Sequence, residues 1–385
     1  MKIKALIVLL ALSYNIGLHA QEDYREGQDL KEVFVNDSKH AVVTIADSSA
    51  APGQQPKNIV LMIGDGMGIS QLTAAYTANG GQLYMAEMPY AGFSTTQSAD
   101  KYITDSAAAG TALSTGVLTY KGAIGVDMNK EPLPTILEIA EAHGKSTGLV
   151  SSSAITHATP AAFIAHNESR HNYAAIAADF LETDIDIFIG GGKDFFASRK
   201  DGRNLLNELQ KKHYQVFDSL EEAAGAKQGP IAILTAGKHN PRWPERGEIV
   251  PDGTHKAMEV LAQNDQGYFL MVEGSQIDWG GHKNNTEFIL QETLDFDRAV
   301  GRALQLAAAD GETLVIVTSD HETGGMSIQS GDFEKGKISA KYTSGGHTGV
   351  MVPVMAYGPG AEHFTGFMQN TDIFHKMHAL FGFKK

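Results

Sequence analysis

Several short runs of β-branched and other apolar residues in this chain end on an acid or a histidine set close to glycine. Asn58–Ile63 runs into Gly64-Asp65-Gly66, Tyr268–Val272 runs into Glu273-Gly274, and Leu314–Thr318 leads to Asp320-His321. A fourth segment, Gly345-Gly346-His347-Thr348-Gly349, supplies another imidazole, and Asp278 and His282 follow Glu273 at i, i+4 spacing. A buried strand that ends this way delivers a side chain to the edge of a sheet. Further strand-like runs at Thr147–Ser151, Ile185–Ile189, Ile231–Leu234 and Val352–Tyr357 alternate with helical stretches at Leu133–His143, Tyr173–Glu182, Asn204–Lys212, Gly253–Gln263 and Asn285–Ala309. Along the last of these, Phe288, Leu290, Leu294, Val300 and Leu304 lean to one stripe. Strands alternating with helices predict an α/β fold: a mostly parallel central sheet with helices on both faces, a three-layer sandwich. Ligands in such sheets gather beyond the carboxyl ends of the strands, where these acids and histidines fall.

With 385 residues and 42% of them hydrophobic, the chain can bury a large core. No repeat stands out. Cysteine is absent, which excludes disulfides and thiolate metal sites. Residues 1–20 read as a secretory signal peptide: Lys2 and Lys4, then apolar Ala5–Leu12, then Leu18-His19-Ala20 as a cleavage site. The mature chain is expected to be exported, periplasmic and without a membrane anchor. Residues 21–56 read as a polar arm with at most a short strand at Ala41–Ile45, and 57–385 as a single catalytic domain. Net charge is −14, and more negative once Lys2 and Lys4 are removed, which argues against nucleic acid or an anionic membrane as partner. Gly237–Asp252 reads as a surface loop. Gly190-Gly191-Gly192 lacks the Lys-Ser/Thr of a phosphate-binding P-loop and reads as a turn.

Carboxylate plus imidazole without thiolate suits zinc at a hydrolytic site with open positions. Thr104-Asp105-Ser106-Ala107 opens a small-residue helix, where free backbone N–H groups and the helix dipole favour an anion or a developing alkoxide. Each feature has an ordinary structural explanation when taken singly. Ser106 could be an N-cap, Asp65 an Asx turn, His347 a loop histidine, and Asp278 with His282 a surface pair. Those explanations do not account for the gathering of all of them at strand ends.

Taken in order, the segments resemble those of the alkaline phosphatases. They are the first strand with Asp65-Gly66, Asp105-Ser106-Ala107, Ala158-Thr159-Pro160-Ala161-Ala162 followed by Ser169-Arg170, Val272-Glu273-Gly274 with Asp278 and His282 after it, Thr318-Ser319-Asp320-His321, and His347-Thr348-Gly349. The match runs from about Lys57 to Gly382. The resemblance implies hydrolysis of small-molecule phosphate monoesters through a phosphoserine on Ser106, with two Zn2+ and one Mg2+ and with Arg170 forking onto the phosphate. One zinc would take Asp278, His282 and His347, the second Asp65, Asp320 and His321, and the magnesium Asp65, Thr159 and Glu273. A homodimer is a further family expectation. Two positions depart from the best-known bacterial pattern: His157 stands where that form has Asp, and Trp279 where it has Lys. Both residues line the site in the family. Losing a carboxylate and a lysine there implies weaker magnesium retention and weaker inhibition by phosphate. A phosphodiesterase or phosphonate hydrolase on the same fold is the main alternative, and a silent phosphate- or metal-binding protein a more distant one. Arg170 favours the monoester, because it would contact oxygens that a diester substitutes.

Overall fold

The computed structural model describes residues 30–46 and 53–383. The signal peptide expected at 1–20 and parts of the arm expected at 21–56 lie outside the described residues. The main sheet has ten strands: β1 (Asn58–Gly64), β2 (Tyr90–Ser94), β3 (Ser146–Ala154), β4 (Ile187–Gly191), β5 (Gln215–Phe217), β6 (Ile231–Leu234), β7 (Tyr268–Gly274), β8 (Thr313–Thr318), β9 (Val352–Tyr357) and β10 (Gly366–Met368). Their spatial order is β10-β2-β9-β8-β1-β7-β3-β4-β6-β5. Only β9 runs against the rest, pairing antiparallel with both β8 and β2. The expected mostly parallel sheet is therefore present. Sequence periodicity missed β2, β5 and β10, which are short or lie towards an edge of the sheet.

The centre of the sheet is apolar on both faces, as a doubly covered parallel sheet requires. In β1, Val60 and Met62 point into one core with Val250, Met258, Ile289 and Leu304. Ile59, Leu61 and Ile63 point into the other with Ala107, Leu137 and Ile373. Helices α1 (Ser106–Thr115) and α5 (Asn370–Leu380) lie on the second face, while α2 (Ile249–Leu261) and α4 (Thr286–Asp310) lie on the first. The long helix α4 starts at Asn285, whose side chain accepts the Phe288 N–H, and stops at Gly311 in the left-handed conformation, φ 66°. All five residues of its expected apolar stripe are buried.

Two expectations need correction. The arm's strand is Val33–Val35, not Ala41–Ile45; it pairs with Lys337–Tyr342, which also pairs with Met326–Asp332 in a small separate antiparallel sheet. Residues 41–45 are held by the Tyr84 hydroxyl, which donates to the Ala41 carbonyl and accepts the Val43 N–H, each at 3.4 Å. The loop expected over Gly237–Asp252 ends earlier, because α2 begins at Ile249 and carries Pro251 in its first turn, where a missing N–H costs no hydrogen bond. No helix among the described residues is long and apolar enough to cross a membrane.

Candidate metal and phosphate site

The predicted residues converge where β1, β3, β7 and β8 end. Register explains this: Ile63 pairs with Glu273 on one side and Thr318 on the other, so Asp65 and Asp320 leave the sheet at one level, with Glu273 two residues earlier on the strand beside them. Asp278 and His282 lie on a short helix, α3 (Gln276–His282), which begins two residues after β7 ends. Gly66, between Asp65 and that helix, has φ 76°, and a Cβ there would sit 2.7 Å from the Asp278 backbone.

Three groups of candidate ligands result: Asp278, His282 and His347; Asp65, Asp320 and His321; and Asp65, Glu273 and His157. In the first, His347 Nε2 lies 3.2 Å from His282 Nε2 and 3.4 Å from Asp278 Oδ1, and His282 Nε2 is also 3.4 Å from Asp278 Oδ1. A tetrahedral ion with bonds of about 2.0–2.1 Å separates its ligands by roughly 3.3 Å, so the spacing fits zinc. In the second, His321 Nε2 is 3.2 Å from Asp320 Oδ2 and 3.5 Å from Asp65 Oδ1.

The histidines are set as ligands by their other ring nitrogen. His282 Nδ1 meets the Gly345 carbonyl at 2.8 Å and His347 Nδ1 the Thr104 carbonyl at 3.0 Å. A carbonyl only accepts, so each Nδ1 carries the hydrogen and each Nε2 turns a lone pair into the group. Two such lone pairs 3.2 Å apart repel unless a proton or cation lies between them.

The carboxylates point the same way. Both oxygens of Asp65, Asp320 Oδ2, Glu273 Oε1 and Thr159 Oγ1 are buried without a hydrogen-bond partner among the described residues. Burial first, then the neighbouring charges of Asp320, Asp278 and Glu273, pushes the Asp65 carboxyl well above its ordinary range. Burial likewise raises Glu273 to about 7 and Asp320 to about 6. Burial lowers His321 to about 4 and His347 to about 3, which keeps both imidazoles neutral. Crowded acids with unsatisfied oxygens, facing neutral imidazoles, fit divalent cations.

Ser106 is not the N-cap of α1. That role belongs to Asp105, whose side chain accepts the Ala108 N–H, leaving the Ser106 hydroxyl 3.3 Å from His321 Nε2 in the second group. Asp105 also holds Arg170 Nη1 at 3.0 Å, both side chains being buried. Burial opposes its ionisation, yet the Arg170 guanidinium and the Ala108 N–H hold the Asp105 carboxyl below its ordinary value. Arg170 Nη2 lies 3.3 Å from His157 Nε2, so His157 touches both the guanidinium and the third group. Trp279 is buried edge-on against His157, with ring centroids 6.1 Å apart, and against His239, at 5.0 Å.

Sequence reading missed Asp105, Thr323 and His239. Asp105 stood beside a residue already singled out. His239 had no signal, because it arrives on the loop before α2 and is brought in by the fold. There its Nδ1 accepts the Ala154 N–H at 3.1 Å.

The chain is similar to known proteins in sequence and in fold. The alkaline phosphatase family profile matches residues 56–342. Alkaline phosphatase 4 of Bacillus subtilis (strain 168) is 37% identical over 401 residues, covering 82% of this chain and 87% of that protein. The alkaline phosphatase of Escherichia coli (strain K12) is 35% identical over 407 residues, covering 85% of this chain and 86% of its own length. Among solved structures, alkaline phosphatase from the Antarctic bacterium TAB5 superposes with a TM-score of 0.82 at 38% identity, covering 86% of this chain and all of that one. The chain belongs to the alkaline phosphatase family, whose members hydrolyse phosphate monoesters.

Proposed function

We propose that this enzyme cleaves phosphate monoesters in two steps through a phosphoserine at Ser106, with two Zn2+ and one Mg2+ as cofactors. The single observation that carries the reading is the Ser106 hydroxyl at the mouth of α1, 3.3 Å from His321 Nε2 and not engaged in capping. Asp278, His282 and His347 would hold one zinc, Asp65, Asp320 and His321 the other, and Asp65, Glu273 and Thr159 the magnesium. When bound, the ions would acidify the serine hydroxyl and the attacking water and neutralise charge on the leaving oxygen.

Ser106 Oγ forms a bond to phosphorus while the ester P–O bond breaks, and the leaving oxygen departs as the alcohol once protonated. Water then attacks the phosphoserine on phosphorus, which releases inorganic phosphate and restores the hydroxyl. Arg170, fixed on one side by Asp105, takes two non-bridging oxygens in a planar fork that Lys could not reproduce. A monoester leaves a third non-bridging oxygen for the cation groups once the fork has taken two, and a diester does not, so Arg170 together with those groups favours the monoester. His157 and Trp279 form the neighbouring wall. With Trp279 in place of a cation, phosphate is held less tightly and leaves more readily. With His157 in place of a carboxylate, the third group carries less negative charge and retains magnesium less firmly. Two substituted forms of the TAB5 enzyme, with Asp or Glu replacing a histidine, have been solved with Mg bound in the M3 site; we read His157 as a histidine of that kind.

The test is acid quenching of the protein with a radiolabelled phosphate monoester. Label retained on wild type and absent from Ser106→Ala supports the phosphoserine. Hydrolysis without any labelled protein, or a preference for the diester, defeats it. We also propose that residues 1–20 direct export and that 57–385 act as one catalytic domain. Sequencing the amino terminus of secreted protein checks the first.

A further inference from the structure

Thr323 belongs to none of the three ligand groups, yet its side chain touches two of them. Its hydroxyl donates to Asp278 Oδ1 at 2.6 Å and lies 3.2 Å from His321 Nδ1. Asp278 belongs to the first group and His321 to the second. The residue is fully buried, and its backbone pairs with His347, a second member of the first group.

Hydroxyl chemistry fixes the direction of both contacts. Thr323 has one hydrogen, and the 2.6 Å contact to a carboxylate oxygen takes it. Towards His321 the hydroxyl can then only accept, so Nδ1 of that ring carries the hydrogen. His321 Nε2 therefore turns its lone pair to Asp65, Asp320 and Ser106. What a backbone carbonyl does for His282 and for His347, a side-chain hydroxyl does for His321, and the same oxygen orients Asp278.

The glycines around the site make room for this one side chain. A Cβ on Gly66 would stand 2.9 Å from Thr323 Oγ1, and one on Gly281 would stand 2.8 Å from Thr323 Cβ. These glycines flank Asp65 and His282, so two of the ligand-bearing segments leave a slot into which the Thr323 side chain fits.

We propose that Thr323 is a positioning residue whose hydroxyl holds the first and second groups ready for cations at the same time. The inference rests on reading those groups as cation sites. The test titrates zinc into the chelated, full-length protein against a competing chelator, with no substrate present. It compares wild type with Thr323→Ser, which keeps the hydroxyl, Thr323→Ala, which loses it, and Thr323→Val, which keeps the shape without it. The two hydroxyl-free variants should bind zinc about 10–100-fold more weakly at both groups, the range seen when a ligand's supporting partner is lost. Thr323→Ser should bind as wild type does, which tests the idea even if Thr323→Ala does not fold. Equal weakening of Thr323→Ser and Thr323→Ala would place the effect in the methyl group and overturn the proposal. So would weakening at one group alone, undiminished binding by Thr323→Val, or a wild type that takes up no zinc. A wild type that binds both zincs but hydrolyses nothing would defeat the enzymatic reading and leave this one standing.

Discussion

The two ends of the main sheet both carry carboxylates, half-buried or exposed at the amino end and fully buried at the carboxyl end, and they treat them differently. At the amino end, Asp186 before β4 accepts the Thr147 N–H at 2.8 Å, and Glu141 accepts the Thr147 hydroxyl at 2.8 Å. Asp310 accepts the N–H and the hydroxyl of Thr313 at the start of β8. Each of these acids borders the start of a strand or the end of a helix and is supplied with donors. At the carboxyl end, both oxygens of Asp65 and one each of Asp320 and Glu273 have no donor among the described residues. An unmade hydrogen bond on a buried polar group costs about 1–3 kcal/mol, and more for a charged one. The carboxyl end therefore carries an instability that the amino end avoids, and the proposed cations would offset it. Burial without a donor, facing neutral imidazoles, sets the acids of the carboxyl end apart.

Four experiments act on this contrast. The largest effect is expected from Ser106→Ala, which removes the proposed nucleophile and leaves the proposed ligands in place. Its turnover of a chromogenic monoester should fall by on the order of 10⁴ or more, while zinc content measured by elemental analysis stays at the wild-type value. Next, Asp65→Asn removes a charge shared by the second and third groups. Activity should be lost, and the metal-free variant should melt a few degrees above metal-free wild type, because one member of the crowded carboxylates is gone. A metal-free variant that melts lower would show that the carboxyl end is not strained as described.

His157→Asp restores a carboxylate to the third group. Magnesium should bind roughly tenfold more tightly, as expected for a change among the groups around a metal; activity against magnesium concentration reads this, and an unchanged midpoint would count against the role given to His157. The smallest effect belongs to the amino end. Burial raises Glu141 to about 7, above its ordinary value, so the folded protein favours its protonated form. That contribution is complete below the unfolded value near 4.5 and is lost as pH rises through about 7. Glu141→Gln keeps the acceptor for Thr147 and cannot ionise. Its melting temperature should exceed wild type by about 1–2 °C at pH 8 and match it at pH 4, with activity unchanged.

The same contrast explains what could be read from the sequence. The central strands were legible because a doubly covered parallel sheet demands unbroken apolar runs, and β6 and β9 have the bounds their sequence suggested. Asp65, Glu273 and Asp320-His321 were legible because each sits at or just past such a run, whereas His347 stood out only by its glycines. The strand Val33–Val35 is apolar but only three residues long, and its pairing with Lys337–Tyr342 is set by contacts about 300 residues apart in the chain. Thr323 and His239 were not legible for a related reason. A threonine or histidine becomes a site residue only when the fold turns a particular atom towards a ligand, and Thr323 Oγ1 does so within 3.2 Å of two groups. Asp105 was read as part of a serine motif, although its own work is to cap α1 and hold Arg170.

The most direct test of the central claim is the rate of hydrolysis of a chromogenic phosphate monoester, beside its diester analogue, at alkaline pH. It is measured on the purified protein, again after chelation, and again after zinc and magnesium are returned. Monoester hydrolysis that vanishes on chelation and recovers with the two metals is the predicted result. Activity that persists in the metal-free protein, or that favours the diester, would contradict the account.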